Sequence, residues 1–151
     1  MNAISYEIAT LQDVPALADL LSILLAQEAE FSVDHAAQCR GLEAIVANPA
    51  IGHVFVARQA ERVVGMVNLL YTISTALGER VALLEDMVVD TAYRNGGVGS
   101  GLMDYAIAHA RTAGIRRVTV LSDHDNIAAH RFYHRQGFVM SSMIPFRRAL
   151  D

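Results

Sequence analysis

The stretch that most constrains the fold is RVALLEDMVVDTAYRNGGVGSGLMDYAIAHARTAG, residues 80–114. An apolar run rich in β-branched residues predicts a strand over 80–89. RNGGVGSG follows, with four glycines and one arginine in eight residues. Glycine is costly inside regular structure, so this density marks a loop whose backbone must bend or be approached closely. Beyond it Leu102, Ala106 and Ala110 repeat at helical spacing, with Met103 and Ile107 beside them, and predict a helix over 97–113 that stops at Gly114. Strand, glycine loop and helix in that order place unpaired helix N–H groups and the positive end of the helix dipole beside a strand end, an arrangement suited to anions.

The rest of the chain supplies elements around this unit. A strand is predicted over 3–9 and a helix in 10–31, where Val14, Leu17, Leu21 and Leu24 share a face and Pro15 fits only the first turn. A second helix covers 34–47 and ends before Asn48-Pro49. Strands over 53–58 and 63–72 flank the polar turn QAER. After residue 114 come a strand over 116–122, a helix over 126–136 closed by Gly137, and strands over 138–140 and 144–149. Apolar residues on both faces of the central strands predict a sheet covered by helices on both sides. With 151 residues, no linker and no repeat, a single domain over 1–151 is expected.

Composition narrows the function classes. Hydrophobic residues make up 53% and charged residues 19%, which excludes a disordered chain. The net charge is −4 with no basic run, which argues against a nucleic-acid partner. Cys39 is the only cysteine, so neither a disulfide framework nor a cysteine zinc site is expected. No membrane span and no signal peptide are expected, and the default setting is cytoplasmic. His130 and His134 stand four apart but lack a third ligand at convincing spacing, so no metal is expected.

The glycine loop fails two familiar nucleotide patterns. It has no lysine for a P-loop, and Leu102 stands where a dinucleotide fingerprint needs glycine. It does fit R-x-x-G-x-G, as Arg94-Asn95-Gly96-Gly97-Val98-Gly99. Downstream, NIAAHRFYHRQGF fits N-x-x-A-x-x-F-Y-x-x-x-G-F through Asn126, Ala129, Phe132, Tyr133, Gly137 and Phe138. Together with the element order, the two stretches resemble the GNAT superfamily of acyl-CoA-dependent N-acyltransferases over nearly the whole chain. The resemblance implies an α/β fold with a mixed, mostly antiparallel sheet of about six to seven strands under about four helices on both faces. It implies acetyl-CoA as co-substrate and a primary amine of a small molecule as acceptor. A homodimer is left open. A protein or peptide N-acetyltransferase and a non-catalytic acyl-CoA sensor of the same fold remain as alternatives.

Residue roles follow from the same resemblance. Arg94, Asn95, Gly96, Gly97, Val98, Gly99 and Ser100 are expected to hold the CoA pyrophosphate. Met87, Val88 and Val89 would offer backbone groups to pantetheine and to the thioester oxygen, near a strand bulge. Asn126, Ala129 and Phe132 would line the cofactor, and Tyr133 would protonate the departing thiolate. Adjacent carboxylates interrupt the 80–89 strand, and strict alternation would send one to each face. Glu85 is the first choice for the base and Asp86 the second. Glu30, Phe31, Tyr71 and Thr72 are the acceptor-pocket candidates. The loop departs from the family pattern where Asn95-Gly96 replaces a small and then a basic residue.

Overall fold

The computed structural model describes residues 3–27 and 32–150. They divide into two units, 1–121 and 122–151, taken separately below.

In the first unit five strands form one sheet in the order β1-β2-β3-β4-β5. The strands are β1 (Ile4–Ile8), β2 (Gly52–Gln59), β3 (Arg62–Ser74), β4 (Glu79–Val89) and β5 (Val118–Val120). The first four pair antiparallel, and β5 joins β4 in parallel. The helices are α1 (Val14–Leu25), α2 (His35–Val46) and α3 (Val98–Thr112). Chemistry at each helix end explains its bounds. The Asp13 carboxylate accepts from the Thr10 N–H at 2.8 Å ahead of α1, and Pro15 falls in its first turn. The Asp34 carboxylate accepts from the Ala37 N–H at 3.1 Å and caps α2. Gly114, at φ 79°, closes α3: its own N–H reaches the Arg111 carbonyl and that of Ile115 the Ala110 carbonyl, so the last carbonyls are not left bare.

Residue alternation sorts the sheet into two faces. Val54, Val56, Met66 and Val88 form one buried cluster with Val14, Leu17, Leu20 and Leu21 of α1 and Leu42 of α2. On the other face Phe55 packs edge-on against Tyr105 of α3, with ring centroids 5.8 Å apart. Gly101 lets α3 lie close to β1, since a Cβ there would fall 2.1 Å from the Tyr6 hydroxyl. Arg58 binds Asp13 at 2.6 Å and also pairs with Glu7, which ties the α1 entry to β1 and β2. Burial works to raise the Asp13 pKa, but hydrogen bonds from Arg58 and Thr10 and the Arg58 charge outweigh it, so the carboxyl is held below its usual range.

The second unit holds α4 (Ile127–Arg135). Among its described residues no strand occurs. The expected strands over 138–140 and 144–149 are therefore corrected. A strand exists only by pairing its backbone, and residues 139–150 are all exposed, with Pro145 interrupting the second run. Among the described residues the expected six to seven strands reduce to five, and the helices packed on the sheet within the first unit are three.

Candidate active site

The site begins where β4 stops matching β3 residue for residue. Leu69 pairs with Leu84 and Val67 with Met87, so Glu85 and Asp86 together face Asn68 alone. This is a β-bulge, with two residues opposite one. Leu84 and Met87 therefore point to the same face, and the two acids share the other. Strict alternation had predicted one acid on each face, and the extra residue overturns it. The acids share their face with Asn68 and Val88.

Asn68, 2% exposed, is the residue that sequence reasoning missed. Its Oδ1 accepts from the N–H of Glu85 at 3.2 Å and of Asp86 at 2.9 Å. Its Nδ2 donates to the Asp86 carboxylate at 2.9 Å. A lone asparagine in VVGMVNLLYT was the available signal, because a buried amide in an apolar strand needs partners. Burial raises the Asp86 pKa above its ordinary value, the bond from Asn68 opposes that, and the Glu85 charge adds to the rise. Glu85 itself is exposed.

At the bulge β4 keeps β3 on one side and loses β5 on the other. The parallel ladder with β5 covers Ala82 to Leu84 and ends there. From Glu85 to Val89 one edge of β4 therefore has no strand partner among the described residues of this unit. Val89 leads through Asp90 into a short 3-10 turn, Thr91–Tyr93. The Arg94 Nε donates to the Val89 carbonyl oxygen at 3.1 Å. The guanidinium thus sits between the strand end and the helix start. Asn95 and Gly97 both take positive φ, 65° and 83°. The first ladder bond of α3 runs from the Gly101 N–H to the Gly97 carbonyl. The N–H groups at the helix start have no acceptor in the ladder and gather at its positive end.

The acceptor candidates separate. Thr72 shares the acids' face and is exposed. Tyr71 points to the other face, where its hydroxyl lies 2.6 Å from His53 Nδ1 and Arg80 stacks over its ring at 4.5 Å. That geometry removes Tyr71 from the acids' face. Glu30 and Phe31 lie outside the described residues.

In the second unit, helix-end chemistry accounts for much of the NIAAHRFYHRQGF pattern. The Asn126 side chain accepts from the Ala129 N–H at 3.2 Å and caps α4. Gly137 adopts φ 91°. Its N–H reaches the His134 carbonyl, and the Phe138 N–H reaches that of Tyr133. The Phe138 ring then meets the Tyr133 ring at 5.6 Å, the apolar contact that accompanies such a helix stop. Tyr133 also packs edge-on against Phe132. His130 is engaged by the Asp123 carbonyl at 2.8 Å, and among the described residues no group of three potential metal ligands occurs.

Comparison with known proteins places the chain in a family. The model of the acetyltransferase (GNAT) family matches residues 18–138. Aminoalkylphosphonate N-acetyltransferase of Salmonella typhimurium is 29% identical over 133 residues, 88% of this chain and 83% of that protein. The crystal structure of a possible acetyltransferase from Clostridium difficile 630 superposes with a TM-score of 0.88 at 17% identity, covering 98% of both chains. An aminoglycoside acetyltransferase from an uncultured soil metagenomic sample gives a TM-score of 0.80 at 20% identity, over 98% of this chain and 97% of that one. These two share the fold with the present chain.

Proposed function

The chain belongs to the acetyltransferase (GNAT) family of N-acetyltransferases, and from that premise we propose that it moves an acetyl group from acetyl-CoA to the primary amine of a small molecule. The observation that carries this reading is the bulge, which turns Glu85 and Asp86 to one face beside the stretch of β4 that β5 does not pair. The residues fit the co-substrate. Glycines and first-turn amides of α3, with Arg94, suit a pyrophosphate, and the β4 edge from Met87 to Val89 suits the amide groups of pantetheine. Asn126, Ala129 and Phe132 are assigned to the cofactor by motif alone.

Acetyl-CoA supplies an activated thioester. Glu85 accepts the proton that the amine must lose, directly or through water, as the amine nitrogen bonds to the acetyl carbon. Backbone N–H groups near Met87 to Val89 face the charge that develops on the acetyl oxygen. As the carbon–sulfur bond breaks, Tyr133 gives its proton to the sulfur, an assignment resting on its motif. The products are the N-acetylated amine and CoA thiol, so the atoms and the proton balance. The similarity to an aminoalkylphosphonate N-acetyltransferase supports a small amine carrying an anionic group as the first acceptor to try.

The test is CoA thiol release across a panel of aminoalkylphosphonates, aminoglycosides and amino-terminal peptides. Glu85→Gln is expected to lower kcat by about 10²–10⁴-fold, and Tyr133→Phe by a smaller factor within that kind of range. Better turnover of peptides would favour a protein acetyltransferase. Tight CoA binding with no acceptor turned over, and no effect of either substitution, would favour a sensor.

A further inference from the structure

Asn68 lies mid-strand between Val67 and Leu69, both fully buried. Burying an amide there is costly unless its polar atoms are paired. Both are, and these partners belong to the bulge: the N–H groups of Glu85 and Asp86 and the Asp86 carboxylate. A valine at this position would leave two bulge amides without an acceptor and one carboxylate oxygen without a donor. We propose that Asn68 is the positioning residue of the acid pair. Its carbonyl oxygen holds both bulge amides and so turns Glu85 and Asp86 to one face. Its NH2 group occupies one Asp86 oxygen, which fixes that carboxylate and leaves Glu85 as the acid that meets the amine. The inference rests on the proposed acetyl transfer for its kinetic consequence, but not for its structural one.

Asn68→Asp separates the two actions. The new side chain keeps the shape and the accepting oxygen. Ionised, it sets a carboxylate oxygen against that of Asp86, so the two hold one proton between them. Protonated, it offers one carbonyl and one O–H, the same pattern as the amide. The variant is therefore expected to resemble the wild type when that proton is present and to lose alignment when it leaves. The ratio of variant to wild-type kcat should rise as pH falls from about 8 to about 6, by up to about tenfold per pH unit. The KM for acetyl-CoA should change much less than kcat, because the Asn68 side chain bonds to Glu85 and Asp86 rather than to the glycine loop or to Met87 to Val89. Carboxyl carbon NMR should show Asp86 titrating at higher pH in the variant than in the wild type.

A second variant, Asn68→Asp combined with Asp86→Asn, restores one donor and one acceptor with the positions exchanged. It should fold and show a pH-independent kcat ratio to the wild type, even if Asn68→Asp alone does not fold. The proposal is overturned by a folded Asn68→Asp variant whose Asp86 titration and pH profile superimpose on those of the wild type. Equal impairment at every pH overturns it too, as does failure of both variants to fold. A wild-type protein that acetylates no amine would count against the proposed function alone, since the NMR titration still reads the coupling of Asn68 to Asp86.

Discussion

At the scale of single residues, four positions differ in how much of their role is local: Gly97, Asn68, Glu85 and Asp86. Gly97 has φ 83°, and a Cβ built there meets nothing within 4 Å. A substitution is strained by the backbone rather than by a clash, at about 1–2 kcal/mol. Gly97→Val is therefore expected to fold and melt cooperatively while its CoA dissociation constant rises about tenfold or more, as read by calorimetric titration. Unchanged affinity in the folded variant would reduce the loop to a turn. The glycine was legible in the sequence, because a positive φ leaves few other choices. Asn68 was not, because its meaning depends on the residues opposite it in another strand. Glu85 and Asp86 were legible as an anomaly, but the face each occupies was not, since one inserted residue reverses the parity of a strand.

At the scale of elements, α3 is held to the sheet by an aromatic and cationic cluster. His53 of β2 touches the Tyr71 hydroxyl of β3, and its ring lies 4.6 Å from that of His109 on α3. Arg80 of β4 stacks over Tyr71, and Phe55 closes the group. Burial lowers the His53 pKa, and the charges of His109 and Arg80 lower it further. A base whose folded pKa is depressed leaves the folded state with fewer protons than the unfolded one. Its stability contribution is complete above the unfolded value of about 6.5 and is lost as pH falls through the lower folded value. Urea midpoints are thus expected to fall between about pH 7 and about pH 5, and to fall less in His53→Phe, where that proton has no site. Parallel pH slopes in the two proteins would refute this. Helix positions were legible because periodicity and end signals agree: Pro15 in the first turn of α1, Asn48-Pro49 after α2, and stops at Gly114 and Gly137. The two C-terminal strands were misread because a short apolar run carries no record of its pairing partner.

At the scale of the whole molecule, the two units differ in what can sustain them. The first contains the buried cluster of α1, α2 and the sheet. In the second, no residue among 122–150 is buried, and its helix has nine residues. Helices shorter than about 12–15 residues are marginal alone, even when well capped. A synthetic peptide of residues 122–151 is therefore expected to give a coil-like circular dichroism spectrum with no cooperative melt, and a sharp thermal transition would contradict that. Among the described residues no helix is long and apolar enough to cross a membrane. The sequence by itself determined the strand–loop–helix unit, the helix ends and the family, because each is written in local spacing: a 3.6-residue period, a capping side chain, a glycine where φ is positive. Only the tertiary structure decided that Glu85 and Asp86 share a face, that Asn68 serves them, and that Tyr71 turns away. Those facts depend on strand register, which is set by residues far apart in the chain.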